Sequence, residues 1–255
     1  MQQKCEGLVI RTSNYGESNK VVTVFSREFG KVAFMARGAK KPKSRLSAVS
    51  QPFTYGYFLF QKGSGLGTLQ QGDIISSMKG IKGDLFKTSY VTYISELLDK
   101  GTDDARPNPF LFQLYLQILQ YIDEGYDAEI LTHIFELKML PVLGLHPTMN
   151  ACAICGNSDG SFGFSFKENG LICHRCKGND PHHFPLSQSA VKILRIMYFF
   201  DLNRMGNISV KEETKNELTT LIRSYYDEAS GLYLKSRKFL DQLQSIEDLI
   251  KKDEP

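Results

Sequence analysis

The chain has 255 residues, 42% of them hydrophobic, with 31 Lys+Arg against 28 Asp+Glu and a formal net charge of +3, enough for a sizeable core and two or three domains. No apolar run approaches the roughly 18 residues of a membrane span, and the opening MQQKCEG lacks the apolar h-region that export requires, so no membrane partner is expected and the expected locale is the cytoplasm. Charge is unevenly spread: residues 1–80 carry 12 Lys+Arg and 4 Asp+Glu, the remainder 19 and 24, so the basic character belongs to one module.

Five short strands are predicted at 8–12, 21–25, 31–36, 53–60 and 66–75. Turn residues separate them: Asn14 and Gly16, Gly30, Pro42 and Pro52, and the Gly63–Gly67 run. Five strands with no room for crossover helices predict a small antiparallel barrel of OB-fold type over residues 1–80. Cys5, alone in this region, is expected to pack in the core.

Along KVAFMAR, side chains alternate. If Phe34 faces the barrel core, Lys31 and Arg37 project outward and lead into Lys40, Lys41, Lys43 and Arg45 of ARGAKKPKSRL, a stretch without an acid. Such a stripe suits phosphate neutralisation, whose counterion release dominates affinity for nucleic acid. In FTYGYFLF, Phe53, Tyr55 and Tyr57 alternate onto one face and Phe58 and Phe60 onto the other. One set must fill the core, and the other offers a stacking platform for unpaired bases.

Beyond Gly83 apolar residues recur every three to four positions, which predicts helices from Phe86 to Leu98 and over 110–122, 128–143, 191–202, 212–226 and 236–250. Pro141 should kink or end the third of these. Residues 81–255 are therefore read as a helical domain with an insertion at 148–184, and the fold class as α+β multidomain. That insertion holds Cys152 and Cys155, then Cys173 and Cys176: two Cys-x-x-Cys pairs at zinc-ribbon spacing. Four thiolates complete a tetrahedral shell with no open position, so the expected cofactor is a structural Zn2+. His174, His182 and His183 are expected at the surface.

No P-loop motif, deaminase signature or clustered carboxylates can be nominated, and no enzymatic activity is expected. The residues allow a DNA-binding OB protein, an RNA-binding OB protein with a structural zinc ribbon, a metal-dependent hydrolase, or a protein–protein adaptor. A hydrolase needs an open metal site that is not evident.

GLVIRTSNYGESNKVVTVFSREFGKVAFMARGAKKPKSRL, followed by QPF and a later Gly-x-Gly turn, resembles the N-terminal domain of the bacterial RecO family. FELKMLPVLGLHP leading into CAIC and CHRC resembles the rest of that family, so the likeness covers nearly the whole chain. One departure is Asn19, where the family pattern has an acidic residue. The four cysteines occur in some members only. The resemblance implies a mediator of DNA repair and homologous recombination, cytoplasmic and nucleoid-associated. Such a protein binds single- and double-stranded DNA, anneals complementary strands and works with a RecR partner to load RecA onto DNA covered by single-strand binding protein. It also implies docking of that protein's acidic C-terminal tail, for which apolar grooves beside Lys138, Lys192 and Arg195 are candidates, and phosphate contacts by Arg37, Lys40, Lys41, Lys43 and Arg45.

Overall fold

A computed structural model of the chain describes residues 1–63, 66–201 and 209–243. These form two compact units, residues 1–128 with the segment from Leu234, and residues 129–233.

In the first unit, strands β1 (Gln2–Tyr15), β2 (Asn19–Ser26), β3 (Gly30–Ala36), β4 (Tyr55–Gln61) and β5 (Gly67–Ser76) close into a barrel of order β1-β2-β3-β5-β4, the OB-fold arrangement. A short helix, α1 (Arg45–Val49), follows the basic connection. All pairings are antiparallel except β3 with β5, which is parallel and joins only Phe34 to Gly67 and Met35 to Thr68. β1 runs well beyond the expected 8–12, because it pairs along its length with β4 on one side and β2 on the other. That pairing satisfies its backbone even where the side chains are polar.

Val9, Val22, Val24, Phe34, Phe58, Phe60 and Leu69 fill the barrel, with Phe34 and Phe60 ring centroids 4.3 Å apart. Cys5 lies among them as expected, and burial pushes its thiol up to about 12. Phe53 differs from expectation. It precedes β4 with φ at 64° and is buried, its N–H donating to Val9 O at 2.8 Å.

Helices α2 (Lys79–Lys82), α3 (Leu85–Gly101) and α4 (Pro109–Glu124) complete the unit. Phe25 of β2 meets Phe112 and Tyr115 of α4, both at 6.4 Å between centroids, so α4 covers the outer face of that strand there. Asp84 and Asn108 accept hydrogen bonds from the first-turn N–H groups of α3 and α4, the capping that fixes where each begins.

The second unit holds α5 (Ala128–Met139) from residue 129 onward. It continues through a sheet of β6 (Phe162–Ser165), β7 (Gly170–Cys173) and β8 (Phe184–Pro185) to α6 (Gln188–Tyr198) and α7 (Glu212–Ala229). As Pro141 requires, α5 stops at Met139 and a 3-10 turn spans Pro141–Leu143. A buried polar network ties α5 to α7. His133 Nδ1 lies 2.8 Å from Glu136 Oε2, its Nε2 lies 2.9 Å from Thr219 Oγ1, and the Tyr226 hydroxyl donates to Glu136 O at 2.8 Å. Residues 235–243 are again helical, and the rest of the helix expected over 236–250 lies outside the described residues.

Candidate nucleic-acid interface and metal centre

At the end of β3 the chain enters the basic connection. Ala36 and Ala39 are buried in the barrel core and pin its start. Between them Gly38 takes φ 68°, a left-handed conformation that costs glycine little. Gly38 N–H donates to Asn19 Oδ1 at 2.8 Å, and Lys40 N–H donates to Ser18 O at 2.9 Å. The connection is thereby strapped to the β1–β2 hairpin. A carboxylate at position 19 would accept the same bond from Gly38, so the amide of Asn19 preserves the turn. Further on, Ser44 Oγ accepts from Leu46 N–H at 3.3 Å and caps α1, whose Val49 is buried.

Arg37, Lys40, Lys41, Lys43 and Arg45 are all exposed. Among the described residues none of them enters an ion pair. The structure therefore brings these five together as unneutralised charge on one ordered segment.

Lys31 departs from the sequence expectation. Arg37 lies just past the end of β3, whereas the Lys31 side chain is only 12% exposed, and its Nζ lies 3.2 Å from Asp99 Oδ1 and 3.3 Å from Asp104 Oδ1. The same nitrogen donates to the carbonyls of Asp99 and Thr102. Two carboxylates and two carbonyls offset its desolvation, so Lys31 ties β3 to the end of α3 and offers no free cation to a ligand. Lys31→Ala is expected to lower the stability of the unit by about 3 kcal/mol, because it leaves the half-buried Asp99 with Arg11 as its remaining cationic partner. Urea unfolding reads this, and an unchanged midpoint would contradict the role.

The aromatic platform is smaller than the alternation suggested. Phe58 and Phe60 are core residues, and Phe53 lies off the strand and buried. Tyr55 donates its hydroxyl to Glu6 Oε1. Only Tyr57 of the set is exposed, and Lys4 Nζ sits 4.4 Å above its ring.

In the second unit the four cysteines converge. Their Sγ atoms all lie within 4.8 Å of one another, with Cys155 and Cys173 at 3.7 Å. Tetrahedral ligation at about 2.3 Å per bond would set sulfurs about 3.8 Å apart, so the cluster fits one metal ion. Each knuckle is a tight turn: Gly156 N–H donates to Cys152 O and Cys176 N–H to Cys173 O, both at 2.9 Å. Cys173 ends β7; Ala153 N–H donates to Leu171 O at 2.7 Å and Cys173 N–H to Cys152 Sγ at 3.3 Å, which sets the second knuckle against the first.

Burial disfavours the Cys152 thiolate, yet hydrogen bonds from the N–H groups of Cys155, Cys173 and Ile154 outweigh it and bring its pKa down to about 6. Hydrogen bonding to Cys155 and the other thiols pushes Cys176 up to about 12. Sulfurs so close cannot all carry negative charge without a cation among them. His174 and His182 are exposed, and His183 Nδ1 is engaged with Asp180 O at 2.8 Å; none belongs to the thiol cluster.

Of the other cations considered, Lys138 Nζ donates to Tyr198 O at 2.8 Å. Arg195 donates from Nε to Met149 O at 2.9 Å and lies 4.6 Å over the Phe162 ring. Arg195 and the exposed Lys192 border a groove of about 490 Å³ lined also by Phe162, Val191 and Ile196.

An OB barrel with an unpaired cationic connection, in a chain that also carries a four-thiol knuckle module, defines a class of OB-fold proteins with a four-cysteine module able to hold a metal. Comparison with known families narrows it. The family model described as recombination protein O N terminal matches residues 1–78, and that described as recombination protein O C terminal matches residues 82–238. The chain belongs to this family, the RecO family. It is 56% identical over 250 residues to the DNA repair protein RecO of Bacillus subtilis (strain 168), covering 98% of each chain. To the proteins of that name it is 57% identical over 251 residues in Listeria welshimeri and 53% over 250 in Bacillus velezensis, again covering 98% of each chain. No described helix is long and apolar enough to cross a membrane.

Proposed function

We propose that this protein acts in DNA repair and homologous recombination by binding single- and double-stranded DNA on the barrel and annealing complementary strands. With a RecR partner it helps load RecA onto DNA covered by single-strand binding protein. Family membership and the relatives' name, DNA repair protein, support the repair role. The observation that carries the binding reading is the ordered connection after β3, where Arg37, Lys40, Lys41, Lys43 and Arg45 stand exposed without carboxylates. Annealing on such a surface needs no bond-making residue: cations offset the repulsion between two polyanions while Watson–Crick pairing drives the outcome.

Zn2+ is the ion assigned to Cys152, Cys155, Cys173 and Cys176, supported by the all-thiolate donor set and the ribbon spacing. With four protein ligands it braces the hairpin of β6 and β7, and it performs no chemistry. The groove beside Lys192 and Arg195 is assigned to the acidic C-terminal tail of single-strand binding protein, because it pairs an apolar lining with two cations.

The test of the binding reading is the salt dependence of single-strand affinity. Five phosphate contacts at about 0.7 each predict a slope of log K against log salt near −3.5. A flat response would remove the reading. Annealing of complementary strands coated with single-strand binding protein tests the larger role.

A further inference from the structure

We propose that Tyr15 is the barrel's base-stacking residue, taking the face of an unpaired base beside the phosphates held by Arg37 and Lys40; this rests on the DNA-binding reading above. Directly opposed residues in antiparallel strands share a face. Tyr15 opposes Asn19 across the β1–β2 ladder, and Lys20 opposes Ala36 across the β2–β3 ladder. Tyr15 and Asn19 therefore point to the outer face together, opposite to the buried Ala36. Arg37, the first residue after β3, lies beside them, because the next residue, Gly38, donates its N–H to Asn19 Oδ1. The next row on that face holds the exposed Ser13 with the half-buried Val21 and Met35.

The ring is free to act. Tyr15 is 57% exposed, and among the described residues it has no ring contact and no side-chain hydrogen bond. It is also held in place. The hairpin it closes receives Gly38 N–H on Asn19, Lys40 N–H on Ser18 O and, at 3.4 Å, Lys40 Nζ on Gly16 O. Glu17, at the hairpin tip, is exposed and enters no ion pair among the described residues, so it leaves the neighbouring cations unneutralised. An exposed ring fixed beside a cationic track is the arrangement that binds single strands: cations follow the backbone and the ring stacks on bases whatever their identity. Bases in a duplex are already stacked on each other. Phosphate contacts alone do not separate single strand from duplex, whereas Tyr15 does.

The experiment compares wild type, Tyr15→Leu and Tyr15→Phe on an unpaired oligonucleotide bearing 2-aminopurine and on a duplex, across a salt series. Tyr15→Leu is expected to lose roughly tenfold or more in single-strand affinity and to abolish the 2-aminopurine fluorescence change, with the salt slope and duplex affinity retained. Tyr15→Phe keeps the ring and retains both. If Tyr15→Leu matches wild type on the single strand while the salt slope stays steep, the stacking role is overturned and the phosphate reading survives. If wild type itself shows no salt-dependent binding, both fall.

Discussion

Cys152→Ser is expected to expel the metal and unfold the segment that carries β6 and β7 while the barrel keeps its DNA affinity. The magnitude follows from how the segment is built. The proposed metal would join two knuckles separated by a short hairpin, and structural zinc in such modules contributes on the order of 10 kcal/mol to folding. Some of that survives as packing, since Phe162, Phe164, Leu171 and Ile172 are buried. Phe164 also meets Tyr225 of α7 at 5.3 Å between centroids, so loss of the hairpin should loosen α7 as well. Cys173→Ser should do the same, because Cys173 is both a ligand and the terminus of β7. Metal content by elemental analysis and far-ultraviolet circular dichroism read the outcome. A variant that stays folded and metal-free yet loses strand annealing would show the ion to be functional and not structural.

The second large effect concerns the basic connection. Replacing Lys40, Lys41 and Lys43 together with Ala would remove three of the five proposed phosphate contacts, and the salt slope is expected to fall from about −3.5 to about −1.4. At about 0.1 M salt the same arithmetic gives roughly a hundredfold weaker binding. The loss should be uniform over sequences, because phosphate contacts fix position without reading bases. The fold should be unaffected. All three side chains are exposed. Lys40→Ala gives up the 3.4 Å bond from its Nζ to Gly16 O but keeps the shorter strap bonds to the β1–β2 hairpin, which come from the backbone N–H groups of Gly38 and Lys40. A loss confined to one sequence, or an unchanged slope with annealing intact, would place the DNA surface elsewhere.

Much of this architecture was legible in the sequence because it rests on local signals. The shift from alternation to a three-to-four-residue period, the proline that ends α5, and two Cys-x-x-Cys pairs at ribbon spacing each act through neighbours in the chain. Lys31 was illegible for the opposite reason. On the strand it has the signature of any outward lysine, and what changes its character is Asp99, 68 residues away, brought over it by α3. Phe53 carried the right residue type for a strand but a backbone conformation that alternation does not reveal. Tyr15 falls between Asn14 and Gly16 in the break after the first predicted strand, and its place beside the basic connection exists only once β1, β2 and β3 are in register.

The narrow parallel seam between β3 and β5 has a mechanical consequence. β3 is joined to β5 through two residue pairs but to β2 through seven, so tension applied to the basic connection passes into β2 and not around the ring. The hairpin bearing Tyr15 lies on that path. A strand dragged along the surface would pull its cationic grip and its aromatic rest together, as one jaw.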